Sequence, residues 1–227
     1  MKSPFLNVSD EVHGGALRLS GHLAKQGYTL DAIHQYTTAQ GVPTWWALRW
    51  KNYTTGEKRP LPMRRTETGF ELKRPEFGPM GAPLYRLHVL ANYPGEVVRL
   101  VEGEPCADLL EGLGYVATTW PNGAQNVGRS DLSPLAGGRV IAQPDNDEPG
   151  FEAMRQAKPI LHGLGARVLT VDTAALGLPP KGDIVDWMRL FVARHGARHL
   201  HEIPNGVEKA RAEIDAFPMM EWKKVAA

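Results

Sequence analysis

A chain of 227 residues is long enough to bury a full core, as one large domain or two small ones. Its 26 Lys/Arg and 25 Asp/Glu leave a net charge of +1, and its single cysteine, Cys106, excludes an internal disulfide and a Cys-rich zinc site. No apolar run approaches the ~18 residues of a membrane span and Met1-Lys2-Ser3-Pro4-Phe5-Leu6 has no secretory apolar region, so the expectation is a cytoplasmic protein with no membrane partner.

Residues 1–14 read as loosely structured. The spacing of Ala16, Leu17, Leu19, Leu23 and Ala24 predicts a helix over Ala16–Lys25, and Asp31 is a candidate N-cap for a second helix ending near Gly41. From Thr44 the pattern changes to alternation: Leu48-Arg49-Trp50-Lys51 reads as a strand with its Trp face buried and its Arg/Lys face exposed. A turn at Asn52–Glu57, a return strand at Arg59–Arg64 that its prolines mark as an edge, and a third strand at Gly69–Lys73 complete a small β-rich region. The Pro/Gly-rich stretch Pro75–Pro83 precedes a helix at Leu84–Ala91. Beyond it strand and helix alternate: strand Val97–Val101, helix Pro105–Leu113, strand Tyr115–Thr119, strand Val140–Ala142, helix Phe151–Leu164, strand Arg167–Val171, helix Ile184–Ala193. Alternation of this kind predicts a parallel sheet with helical crossovers. The final segment, Gly206–Phe217, reads as a polar surface helix. The predicted organisation is an α/β chain with a basic α+β subdomain at 1–92, a parallel-sheet domain at 93–200 and a helical tail at 201–227.

Charge is unevenly spread. Between Arg49 and Arg74 stand eight Lys/Arg (Arg49, Lys51, Lys58, Arg59, Arg64, Arg65, Lys73, Arg74) against three Glu, a local +5 that leaves −4 for the rest. A basic segment beside an acidic one fits a nucleic-acid or nucleotide surface next to a metal site, the alternative being two ordinary solvated faces. Arg suits phosphate through its planar fork. Trp45, Trp46 and Trp50 are candidates for base stacking or for the core.

Two apolar strands each run into carboxylates. Val97–Val101 leads into Glu102-Gly103-Glu104, and Arg139–Ala142 leads into Pro144-Asp145-Asn146-Asp147, 43 positions on. Open α/β sheets bind ligands at the carboxyl ends of their strands, and Mg²⁺ is usually held by one or two carboxylates plus substrate phosphates. Asp145 and Asp147, two apart, share one side of an extended segment, where like charges repel unless a cation neutralises them. The alternative for Asp147 or Glu148 is the N-cap of the helix opening at Pro149. Asp183 and Asp186 fit an N-cap and first helical turn as well as an acidic site. Asn122–Asn126 reads as a backbone-rich loop near phosphates or as a plain turn. Cys106 reads as helix packing, and His195, His199 and His201 as a solvated helix end.

Val-Glu-Gly-Glu-Pro-Cys-Ala-Asp at 101–108 resembles the glutamate motif of the Toprim superfamily, and Pro-Asp-Asn-Asp-Glu-Pro-Gly at 144–150 is similar to its Asp-x-Asp-x-x-Gly motif. Ala117-Thr118-Thr119, Pro180-Lys181-Gly182-Asp183 and Leu84-Tyr85-Arg86-Leu87 extend the resemblance to primase and primase-helicase proteins of phages, plasmids and integrative elements. The resemblance implies a Rossmann-like Toprim sheet and Mg²⁺ (or Mn²⁺) bound by Asp145 and Asp147. It implies metal binding or proton transfer for Glu102, with Glu104, Asp108, Asp183 and Asp186 as further acids. The spacing from glutamate to Asp108 is longer than in many primases. The implied activity is DNA-primase-type nucleotidyl transfer on a single-stranded DNA template from nucleoside triphosphates, alongside a separate replicative helicase. A Toprim nuclease and a non-catalytic nucleic-acid-binding or helicase-associated module are the alternatives. The sequence holds neither a P-loop nor a Cys/His zinc module, so no helicase activity is expected from it, and the template-sensing zinc domain of many primases is missing or supplied by another chain.

Overall fold

A computed structural model describes residues 8–220. The expected loose structure of residues 1–7 and the end of the tail at 221–227 lie outside it. Helix α1 (Asp10–Ser20) begins inside the stretch read as loose. Ser9 caps it by accepting from the Val12 backbone N–H, and Val12 and Ala16 are its buried apolar face. A 3₁₀ segment, Gly21–Gln26, follows and ends at Gly27 in the left-handed region at φ 82°.

The segment predicted as a helix from Asp31 is a strand, β1 (Thr29–Thr37). It is buried on both faces (Ala32, Ile33, His34, Tyr36, Thr37), so it lacks the period-2 alternation by which a strand is read. It pairs antiparallel with β2 (Pro43–Lys51), and the register slips at Asp31. Strand β3 (Lys58–Thr66) pairs with β2 along its length. It meets β4 (Gly69–Glu71) only through Arg64–Thr66, which leaves Lys58–Met63 as an edge, where Pro60 and Pro62 stand. The sheet order is β1-β2-β3-β4.

Strand β2 has two distinct faces. Trp46, Leu48 and Trp50 pack under α1 with Val12, Ala16, Leu23 and Met63. Trp45 lies on the same face as Arg49 and Lys51, yet is only 2% exposed, because a second layer covers that end of the sheet. Its indole stacks on Tyr36 with ring centroids 4.0 Å apart. All three tryptophans are therefore buried core residues.

The second half is a four-stranded parallel sheet, β5 (Val97–Val101), β6 (Val116–Thr118), β7 (Arg139–Gln143) and β8 (Arg167–Thr170), in the order β6-β5-β7-β8. Helices α2 (Leu87–Asn92), α3 (Glu104–Gly112), α4 (Glu148–Gly163), α5 (Ile184–Arg194) and α6 (Gly206–Asp215) surround it. One face packs α3, α5 and α6 through Cys106, Leu110, Trp187, Phe191 and Ile214; the other packs α4 through Met154, Ala157 and Leu161 against Leu100, Val140 and Ala142. The fold is thus α/β with a Rossmann-like parallel sheet. Helix α6 is not a mere surface helix: Ala210 and Ile214 are fully buried, and Asp215 accepts hydrogen bonds from Arg99 (2.8 Å) and Tyr115 (2.9 Å). Among the described residues no helix is long and apolar enough to cross a membrane.

Candidate active site

The chain proceeds from β5 to one side (β6), then returns to the other side (β7). The strands that flank this reversal, β5 and β7, are paired through Val101 and Gln143. A crevice forms outside the carboxyl ends of strands at such a reversal. Glu102 and Asp145 are the residues that emerge there. Glu102 Oε1 accepts the Asp145 backbone N–H at 3.1 Å. Close approach requires Gly150 at the first turn of α4, since a Cβ there would stand 2.5 Å from Glu102 Oε1 and 2.8 Å from the Asp145 carbonyl oxygen.

Asp145 and Asp147 take different roles. Asp147 is the N-cap of α4, accepting the Gly150 N–H through Oδ1 at 2.8 Å. Asp145 faces a third strand-end loop. Asn146 donates to the Leu178 carbonyl at 3.0 Å, and its backbone N–H and C=O bond Gly182 and Lys181 at 2.9 Å each. This clamp carries Asp183 to Asp145. One donor atom each of Cys106, Asp145 and Asp183 lies within 4.8 Å of the other two. Asp183 also caps α5, accepting from Val185 N and Asp186 N, while Asp186 closes the capping box and pairs with Arg189 at 2.7 Å. Asp183 thus caps α5 while standing beside Asp145, and Asp186 belongs to the cap.

Burial, then the charges of Glu102, Asp183 and Asp147, push the Asp145 carboxyl up to about 8, with Lys58 pulling it back. Burial, with the charge of Asp147, also raises Glu102, although the Asp145 N–H opposes the shift. Burial, then Asp183 and Asp145, drive the Cys106 thiol well above its ordinary range. This is a carboxylate cluster short of positive charge. Its oxygen donors fit a hard divalent cation such as Mg²⁺ or Mn²⁺, whereas a protonated thiol does not.

Glu104 and Asp108 face away from that cluster, into the first sheet. The Tyr36 hydroxyl donates to Glu104 Oε1 at 2.7 Å. Asp108 accepts from His34 Nδ1 (3.0 Å), Tyr85 Oη (2.9 Å) and Arg86 (Nη2 2.7 Å). Burial would raise Asp108, but the hydrogen bonds and charges of His34 and Arg86 hold it below the usual carboxylate range.

The basic residues divide as well. Arg49, Lys58 and Arg74 line a cavity of about 440 Å³ between the two sheets, whose other wall includes Gly103, Glu104 and the Asn122-Gly123 turn. Arg49 is held by Asp31 at 3.1 Å. Arg64 pairs with Glu71 at 2.6 Å and Arg65 binds Glu11 through two 2.9 Å hydrogen bonds. Arg59 pairs with Glu57 at 3.2 Å, and Lys51 sits over the Tyr53 ring. Lys73 and Arg74 are exposed. His195 bonds the Phe191 carbonyl and His199 stacks on His201, remote from the acids in the sequence and outside their cluster.

No family model matches the chain, and no curated protein does. Among solved structures the fold matches Aquifex aeolicus primase, solved as its zinc-binding and RNA polymerase domains, with a TM-score of 0.50. Identity is 16%, and the match covers 93% of this chain and 50% of that one. The chain therefore has a primase-like fold and spans about half the length of that structure.

Asn146, Cys106, Gly150 and Thr119, whose Oγ1 accepts the Gly103 N–H at 3.0 Å, escaped the candidate residues predicted from sequence. Each stands inside a stretch that the sequence marks: Asn146 between the paired aspartates, Gly150 at the end of their motif, Thr119 in Ala117-Thr118-Thr119, and Cys106 in the 101–108 motif, where it reads as packing and is buried.

Proposed function

We propose that the chain is a primase-type nucleotidyltransferase that makes short primers on single-stranded DNA. The observation that carries the reading is the convergence of Glu102, Asp145 and Asp183 from three separate loops at the sheet's reversal point, next to a cavity lined by Arg49, Lys58 and Arg74. In this reading Glu102 and Asp145 hold Mg²⁺ or Mn²⁺ with Asp183 as an additional ligand, and Asp147, which keeps Oδ1 on the α4 cap, offers its other oxygen. The bound cation supplies a lowered pKa for the attacking 3′-hydroxyl and neutralises charge on the phosphate oxygens. Arg49, Lys58 and Arg74 hold the triphosphate of the incoming nucleotide, and the 440 Å³ cavity is within the range of a small-molecule site. The hydroxyl attacks the α-phosphorus, the bond to the β-phosphate oxygen breaks, and pyrophosphate leaves. Where Glu102 is not taken up by the cation, it is the chain's own acceptor for the hydroxyl proton. Lys51 and Lys73 steer the template, with the ion-paired Arg59, Arg64 and Arg65 adding little; segment 1–92 holds the nucleotide, 93–200 with the docked α6 is the Toprim part, and a helicase is a separate chain.

Primer synthesis on single-stranded templates with labelled ribonucleotides tests this reading. Product dependent on Mg²⁺ or Mn²⁺ and abolished by Asp145→Asn is the expected result. Metal-dependent cleavage of DNA without synthesis would move the assignment to a nuclease. Binding of DNA with neither activity would make the chain a non-catalytic module.

A further inference from the structure

Two residues of β1 and two of α3 meet in matched spacing. His34 and Tyr36 are two apart on the strand, a rise of about 6.6 Å. Glu104 and Asp108 are four apart on the helix, a rise of about 6.0 Å. Each pair lies on one side of its element. The helix therefore lies antiparallel along the strand, with Tyr36 on Glu104 at 2.7 Å and His34 on Asp108 at 3.0 Å. Both strand residues are at most 2% exposed. Arg86, itself in the left-handed region at φ 57°, reaches past Asp108 to Glu111 at 3.2 Å, so a third element grips the same helix. A non-glycine residue persists in that conformation only where its surroundings over-determine it.

Glu104 is the first residue of α3, two positions after Glu102. Gly103 between them, at φ 79°, gives its N–H to Thr119. The segment that carries Glu102 is thus held from both sides: by Thr119, just past the end of β6, and by the first sheet through Tyr36. We propose that Tyr36, with His34 as a second tether, is a positioning residue for the 102–108 segment, and that Glu104 is its anchor and not a metal ligand. The proposal rests on the metal-site reading above and assigns the first sheet a role beyond holding substrate: it sets the geometry of the acids.

The test is Tyr36→Phe, which keeps the ring stacked on Trp45 and removes only the hydroxyl. Two readouts are taken on the full chain: Mn²⁺ uptake by calorimetry, and hydrogen exchange of the 103–108 amides. The expected result is faster exchange confined to 103–108 and a Mn²⁺ affinity weakened about tenfold, the scale of a lost hydrogen bond to a charged group. Glu104→Gln, whose carbonyl still accepts from Tyr36, is expected to keep wild-type Mn²⁺ affinity, while Glu104→Ala matches Tyr36→Phe and adds nothing to it in the double variant. Unchanged exchange at 103–108 in Tyr36→Phe overturns the proposal. So does a Glu104→Gln variant that binds Mn²⁺ as poorly as Glu104→Ala, since Glu104 would then be a ligand. Wild-type protein that takes up no Mn²⁺ overturns the primase reading instead, and the exchange measurement still decides the tether.

Discussion

Asp145 is the residue on which the site's electrostatics turn. Its carboxyl is pushed up to about 8 by burial and by Glu102, Asp183 and Asp147, with Lys58 opposing and Cys106 alongside. An aspartate in the unfolded chain loses its proton near pH 4. Between about pH 4 and pH 8 the folded, metal-free protein therefore holds a proton that the unfolded chain has released, so stability falls as pH rises through that window. Asp145→Asn removes the penalty. The metal-free variant is expected to melt above wild type at pH 8, with the difference closing toward pH 4, and saturating Mn²⁺ is expected to reverse the order. Thermal melts across pH, with and without Mn²⁺, check both parts. A variant that melts at or below wild type at pH 8 without metal would remove the charge-starved cluster from the account.

Helix α6 shows how an element's role follows from what it meets. Its sequence (Glu208, Lys209, Arg211, Glu213, Asp215) is polar enough to read as solvated. Yet Ala210 and Ile214, four apart on one stripe, are fully buried against the face that carries α3 and α5. Arg99, buried inside β5, needs Asp215 for its charge and lies over Tyr115. Ile214→Ala is expected to cost about 2–5 kcal/mol through lost burial and a residual cavity, measured by denaturant unfolding. A loss below about 0.5 kcal/mol would mean that α6 is only loosely docked. Similar logic explains β1: a strand covered by α1 on one side and by α2 and α3 on the other loses the alternation that identifies strands, and its apolar residues fall at spacings that a helix would share. Strands β5 and β7 were legible because an apolar run ending in carboxylates has few other meanings, and α3, α4 and α5 because their apolar stripes are strong.

Taken as a whole, the molecule sorts its cations by position. Replacing Lys58 and Arg74 with Ala is expected to weaken binding of a Mn²⁺–nucleoside triphosphate about tenfold or more, as lost charge-assisted contacts to phosphate would. Replacing Arg64 and Arg65, already neutralised by Glu71 and Glu11, is expected to leave it within about twofold. Calorimetry separates the two pairs, and equal losses would dissolve the distinction between the cavity and the outer strand. Local pattern was enough to read the parallel α/β sheet, its strand ends and the acids at 102 and 145, because hydrophobic period and the chemistry of carboxylates are properties of short segments. It was not enough to divide labour among the acids. Asp147 caps a helix, Asp183 joins Asp145 through the Asn146 clamp, and Glu104 and Asp108 turn to the first sheet, because each outcome depends on which distant loop or strand arrives opposite. Partners up to 116 positions apart in the chain, such as Arg99 and Asp215, are chosen by packing, and no short stretch of sequence carries that information.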